Sequence, residues 1–273
     1  MIQINYNSTM TKVSLCQIHI KPTDIDQNLS RALQALEEVV RQGGKLALLP
    51  ELWSSGYDLP NAAAQAERSP EILARLALFS QELGIAIGGS LLEQIGNQVF
   101  NTFTLIQPDQ SAIQYRKIHL FGLMDEDTWL TPGNEPVLAD FCGLKASLSI
   151  CYDLRFPELY RLYALQQAQL FLISAEWPTR RIEHWRTLLR ARAIENQAFT
   201  AAVNTVGSSG GAVYGGNSAV ISPWGETLIE APADAEAVLT VELDFQQLAD
   251  VRKFMPIFSD RRPDIYSRPP DTD

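Results

Sequence analysis

The stretch Ala146-Ser-Leu-Ser-Ile150, followed at once by Cys151-Tyr-Asp-Leu-Arg-Phe-Pro157, decides how this chain is read. Its first five residues form a short apolar run that reads as a buried strand. Charge arrives at Asp153 and Arg155, and the fixed φ of Pro157 suits the first turn of a helix. Cys151 is therefore expected between a strand end and a helix start, where backbone N–H groups point outward and favour negative charge. Such a setting lowers a thiol pKa and can hold an oxyanion. The competing reading is a small core thiol, because free cysteine is among the most buried residue types.

Outward from this junction, strands and helices interleave. Residues 1–11 read as a polar leader, with Met10 an alternative start, and Lys12–Ile20 alternates like a strand. Leu29, Ala32, Leu33, Leu36, Val39 and Val40 give 26–42 the stripe of an amphipathic helix, ended by Gly43-Gly44. Leu46–Leu49 is a buried strand closed by Pro50, and 69–83 a helix with Ser69 as N-cap and Pro70 behind it. Strands are expected over 85–92, 99–107, 111–120, 144–150, 170–175, 199–206, 218–222 and 238–243, and helices over 157–167, 184–196 and 245–254. Residues 121–136, with Gly122, Pro132, Gly133 and Pro136, are expected as loop, and the tail after Met255 as extended and packed on the body or a neighbour. No linker or repeat divides the chain, so 12–273 is read as one mixed α/β domain.

Composition narrows the function. The 273 residues are 46% hydrophobic and 20% charged, as in an ordinary globular protein. A net charge of −10 without a Lys/Arg-rich run argues against nucleic acid and anionic membrane surfaces. No apolar run approaches the roughly 18 residues of a membrane helix. Cys16, Cys142 and Cys151 are too few and irregular for a disulfide framework or zinc site, and fit a reducing cytoplasm.

Three residues carry the chemistry. Glu51 directly follows a buried strand, as a solvated loop acid or as an acid/base group whose pKa burial raises. Lys117 shares a strand face with Tyr115 and His119, as a solvated edge or as a site cation. Glu51, Lys117 and Cys151 all fall at or near strand ends, where sites assemble in open α/β folds. A base, a cation and a thiol suit acyl transfer.

Leu49-Pro-Glu-Leu-Trp53, Tyr115-Arg-Lys-Ile-His-Leu-Phe121 and Ser149-Ile-Cys-Tyr-Asp-Leu-Arg-Phe-Pro-Glu158, in this order, resemble the nitrilase superfamily of carbon–nitrogen hydrolases. The resemblance continues through 184–197 and 215–225 and covers about 12–243. It implies a four-layer αββα sandwich, no metal or organic cofactor, and a Glu51–Lys117–Cys151 triad. It also implies that the Tyr152 backbone N–H joins Lys117 in holding an oxyanion. A second glutamate on the loop after the lysine matches Glu126 best, with Asp125 and Asp127 as rivals. The segment from Trp177 to Trp185 resembles the ω-amidase branch, which converts 2-oxoglutaramate or 2-oxosuccinamate to the 2-oxo dicarboxylate and ammonia. A carboxylate-bearing substrate needs a guanidinium in an acidic protein. Arg181 matches that position, with Arg180 adjacent and Arg155 either a second binder or the ion-pair partner of Asp153 or Glu158. Trp177 and Phe121 are expected as pocket walls, and Trp185 and Phe156 as core.

His119 and His184 lack metal-pair spacing and read as hydrogen-bonded structural residues. Gly207–Gly211 and Gly215-Gly216 read as a flexible loop rather than a phosphate cradle. Cys16 and Cys142 read as core thiols. The expected activity is amide hydrolysis through a Cys151 thioester, with water as second substrate and a homodimer implied by resemblance. Alternatives keep the triad and change the substrate (a deaminated-glutathione amidase, an N-carbamoyl amidohydrolase or a nitrilase), or keep the fold as a non-catalytic binding module.

Overall fold

The structure is a computed structural model that describes residues 10–141, 143–209 and 211–266. The expected leader lies outside the described residues through position 9, and Met10 and Thr11 open the first strand instead. The chain runs β1 (Met10–Gln17), α1 (Ile25–Arg41), β2 (Leu46–Leu48), α2 (Ala62–Ala66), α3 (Ser69–Leu83), β3 (Ala86–Ile95), β4 (Gln98–Ile106) and β5 (Ala112–Arg116). There follow α4 (Glu126–Trp129), β6 (Leu138–Phe141), β7 (Leu144–Ile150), α5 (Pro157–Leu165), β8 (Leu170–Ser174), α6 (Ile182–Asn196) and β9 (Phe199–Val203). The hairpin β10 (Val206–Ser209) and β11 (Ala212–Gly215), then β12 (Ala219–Ile221), β13 (Thr227–Glu230), β14 (Ala237–Asp244), α7 (Phe245–Phe254) and α8 (Pro263–Tyr266) complete it.

Two six-stranded sheets form, ordered β14-β1-β2-β3-β4-β5 and β13-β12-β9-β8-β7-β6. Period-2 alternation explains how they stack. In the first sheet Val13, Leu15, Leu46, Leu48, Phe103 and Tyr115 face the second, meeting Leu148, Ile150, Leu172 and Ala201 in one core. Cys16, Ala47 and Ile87 face the other way, against Leu29, Leu36 and Val39 of α1 and Ile72 and Leu76 of α3. On the far side, Tyr160 and Tyr163 of α5 and Trp185 and Leu189 of α6 join the core of the second sheet. The result is helix, sheet, sheet, helix.

Local chemistry sets the boundaries. Asp24 caps α1 by accepting from the Gln27 N–H at 3.2 Å. At Gly44 an added Cβ would collide with Ser14 and Val39, so the helix end sits directly on β1. Several expectations shift. Ser69 lies inside α3 rather than capping it, because Arg68 is the N-cap and makes no side-chain cap bond. The loop expected over 121–136 contains a 3-10 turn, Gly122–Met124, and the one-turn helix α4. The glycine-rich stretch after Val206 is the β10–β11 hairpin rather than a plain loop. In the tail Phe258 packs against the main core, with the Arg161 and Arg252 guanidiniums over its ring. No helix among the described residues is long and apolar enough to cross a membrane.

Candidate active site

In the first sheet β1, β2 and β3 are parallel, and β4 is antiparallel to both its neighbours, so β5 points the same way as β2 and β3. In the second sheet β7, β8 and β9 are parallel. The carboxyl ends of β2, β5, β7 and β8 meet, and side chains just beyond them converge. The two sheets are joined there. Ser174 Oγ donates to the Leu49 carbonyl at 2.8 Å, the Glu51 N–H to the Ala175 carbonyl at 3.4 Å, and the Glu176 N–H to Glu51 Oε2 at 3.0 Å.

Glu51 is not a solvated loop acid, nor Lys117 a solvated edge; both are buried. Lys117 Nζ donates to Glu51 Oε1 at 2.8 Å and to Glu126 Oε1 at 2.6 Å. Burial alone would favour the neutral amine, but Glu126 and Glu51 outweigh it and hold Lys117 charged, above its ordinary pKa. Asn101 Nδ2 adds a 2.8 Å bond to Glu51 Oε1, and its carbonyl accepts from the Lys117 N–H at 2.9 Å. Glu126 is the acid brought to the cluster; among its two rivals, Asp125 is the left-handed residue that turns the chain into α4, and Asp127 is exposed. Glu126 also accepts from the Tyr57 hydroxyl at 2.6 Å and from the Phe121 N–H at 2.9 Å. Burial raises its carboxyl against the opposing pull of Lys117.

Cys151 follows β7 in the left-handed region, φ +44°, and starts a 3-10 turn, Cys151–Arg155, with α5 beginning only at Pro157. Asp153 fixes the turn, accepting from the Ile150 N–H at 2.9 Å, the Tyr115 hydroxyl at 2.7 Å, and the backbone N–H and Nδ1 of His119 at 3.1 and 2.8 Å. One buried carboxylate thus joins the Cys151 turn to the lysine-bearing segment. The expected lowering of the thiol pKa is overturned. Burial, then the Glu51 carboxylate, push the Cys151 thiol well above its ordinary range, and Lys117 offsets only part of this. The thiol sits 3.9 Å from the Glu176 carbonyl oxygen and within hydrogen-bonding reach of Glu51.

Phe121, Tyr152, Arg155, Glu176, Trp177 and Arg181 line a narrow slot over Cys151. Met124, Pro178 and Arg181 also border an outer cavity of about 710 Å³, whose lining includes Tyr57, Arg180 and Tyr214. Arg181 lies 5.1 Å over the Phe121 ring, and Arg155 4.7 Å over Trp177. Arg155 pairs with neither Asp153 nor Glu158; it donates to His184 Nδ1 at 3.3 Å. Burial and the nearby Arg181 charge both lower its pKa, which reports two guanidiniums facing one slot. Trp177 is buried with Nε1–H bonded to the Arg181 carbonyl at 2.8 Å, and Trp185 is core. Phe156 is half-buried rather than core, stacked on His119 with ring centroids 3.6 Å apart. Cys16 is a buried thiol, and Cys142 lies outside the described residues.

Sequence reasoning missed Tyr57, Asn101 and Glu176. The first two come from distant segments and carry no local signal. Glu176 does carry one, since it follows a buried strand just as Glu51 does.

Residues 12–253 match the family model described as carbon-nitrogen hydrolase. The chain is 38% identical to the 2-oxoglutaramate amidase of Bacillus subtilis (strain 168), over 93% of this chain and 98% of that protein. It is 35% identical to omega-amidase NIT2-A of Xenopus laevis, over 94% and 96%. It also superposes, with TM-score 0.84, 29% identity and coverage of 97% and 98%, on a mutant amidase from Nesterenkonia sp. AN1. In that structure the acetamide moiety of fluoroacetamide is covalently added at the active-site cysteine. With an αββα sandwich and a buried thiol, carboxylate and ammonium gathered where its sheets meet, the chain belongs to the carbon–nitrogen hydrolase family.

Proposed function

We propose that the chain is an ω-amidase, converting 2-oxoglutaramate or 2-oxosuccinamate to the 2-oxo dicarboxylate and ammonia through a thioester at Cys151. The observation that carries this reading is the pairing of a protonated thiol beside the Glu51 carboxylate with two guanidiniums, Arg155 and Arg181, lining the same slot. The resting thiol is neutral, so attack and deprotonation are coupled. Cys151 Sγ bonds to the amide carbon while its proton passes to Glu51. The oxyanion is held by the Lys117 ammonium and the Tyr152 N–H. Collapse breaks the C–N bond, and Glu51 returns its proton to the departing ammonia. Water then adds to the thioester, giving Glu51 a proton, and the tetrahedral adduct expels the Cys151 sulfur, which recovers that proton. Glu126, tied to Lys117 and Tyr57, positions the ammonium and assists proton transfer.

Arg181, with Arg155 beside it, takes the carboxylate next to the ketone, while Trp177 and Phe121 wall the carbon chain. The names of the Bacillus and Xenopus relatives support this substrate class. A deaminated-glutathione amidase, an N-carbamoyl amidohydrolase or a nitrilase would use the same triad. A side-by-side panel separates them: ammonia release fastest from 2-oxoglutaramate is expected, and faster turnover of another of these substrates would refute the assignment. Cys151→Ala is expected to abolish ammonia release, and retained activity would refute the thioester. The free thiols Cys16 and Cys151 fit a cytoplasmic setting. Exposed Ile194, Trp224, Phe254 and Met255 support a homodimer; light scattering should read twice the chain mass, and the mass of a single chain would refute it.

A further inference from the structure

We propose that Glu176, in its neutral acid form, is a specificity-determining residue whose carboxyl O–H donates a hydrogen bond to an oxygen of the bound substrate. The inference rests on the amidase reading above and adds a residue to it. Glu176 follows β8, and its backbone is already committed: the N–H to Glu51 Oε2 at 3.0 Å, the carbonyl oxygen facing the Cys151 thiol at 3.9 Å. Its side chain is only 1% exposed, in a residue that lines the slot; the Tyr214 hydroxyl lies near it, but neither carboxyl oxygen has a hydrogen bond of normal geometry among the described residues. A buried polar group left this way normally costs about 1–3 kcal/mol, so its retention needs an explanation.

Charge counting supplies one. Three buried carboxyls, Glu51, Glu126 and Glu176, surround one ammonium, and Lys117 spends its bonds on the first two. Among the described residues Glu176 has no cation of its own at bonding distance. Burial and the Glu51 carboxylate favour its protonated form, Glu126 adds to this, and the Tyr214 hydroxyl and Lys117 oppose without reversing it. Across the slot, Arg155 and Arg181 are the remaining charges. A neutral carboxyl brings a donor to a wall where a carboxylate could only accept, and where a further negative charge would repel an anionic substrate. An amide bearing a 2-oxo acid offers oxygen acceptors and no acidic donor, so a donor is the complement it needs.

Two variants separate this role from packing. Glu176→Gln keeps size, neutrality and a donor; Glu176→Met keeps length and loses the donor. With 2-oxoglutaramate, or with whichever primary amide the enzyme turns over if that substrate fails, Glu176→Gln should stay within about threefold of wild type in kcat/KM. Glu176→Met should fall at least roughly tenfold, mostly in KM, as expected for a lost hydrogen bond to an uncharged donor. Equal losses in both, or no loss in Glu176→Met, would overturn the proposal. Difference infrared spectroscopy on Cys151→Ala protein gives a readout that survives misfolding of the Met variant. The C=O stretch of a protonated carboxyl should shift when the amide binds, and the shift should vanish in the Cys151→Ala/Glu176→Gln double variant. A signal unchanged by binding, or unchanged by Glu176→Gln, would overturn it. Failure of 2-oxoglutaramate alone, with the shift present for another amide, would refute the substrate assignment and leave Glu176 as inferred.

Discussion

Lys117→Met is the most informative single change, because it separates charge from volume. In the native chain the Nζ bridges Glu51 at 2.8 Å and Glu126 at 2.6 Å, and all three side chains are inaccessible to solvent. Methionine keeps a comparable length of chain and removes the ammonium. Breaking a buried pair by deleting one partner typically costs about 3–5 kcal/mol, since an uncompensated charge stays behind. For a domain of this size each kcal/mol lowers Tm by about 2–4 °C, so a fall of roughly 6–20 °C is expected near neutral pH. The sign of the pH dependence follows from linkage. Without Lys117, burial raises the folded-state carboxyls above their unfolded values, as it already does for Glu126. The folded variant then binds more protons than the unfolded chain, and its stability falls as pH rises, by up to about 1.4 kcal/mol per pH unit for each carboxyl that titrates. The Tm deficit of Lys117→Met relative to wild type, read by circular dichroism, should therefore be smaller at about pH 5 than at about pH 8. Adding Glu126→Gln should recover part of it. A deficit independent of pH, or larger in acid, would refute the idea that two buried carboxylates depend on this one ammonium.

The slot makes a further prediction. Arg181→Ala should raise KM for a carboxylate-bearing amide by roughly 10- to 100-fold, the range for losing a hydrogen bond from a charged donor, while leaving a neutral amide such as butyramide nearly unchanged; equal losses on both would remove Arg181 from carboxylate recognition.

Much of this was legible in the chain. The seven residues of β7 and the nine of α5 fall close to their expected limits because apolar runs and proline placement are local signals. Glu51, Lys117 and Cys151 were accessible for a similar reason: each stands at or near the end of a strand. The four-residue strands β6 and β13 were not, since two alternations are too short to show a period. The state of the Cys151 thiol was also out of reach. A strand-to-helix junction suggests a stabilised thiolate, but burial, and after it the Glu51 and Glu126 carboxylates from distant segments, push the thiol the other way. Tyr57 and Asn101 reach the site only through tertiary packing.

The bonds that join the two sheets at the site have a consequence for how the enzyme fails. Glu51 and Lys117 follow strands of one sheet, Cys151 and Glu176 strands of the other, and the thiol stays beside the Glu51 carboxylate only while Ser174 holds Leu49 and Glu176 holds Glu51. These groups therefore act as a vernier for the stacking of the layers. A slip of an ångström between sheets would leave every strand ladder intact and still part donor from acceptor. Chemistry in this protein reports on alignment, and it is lost before structure is.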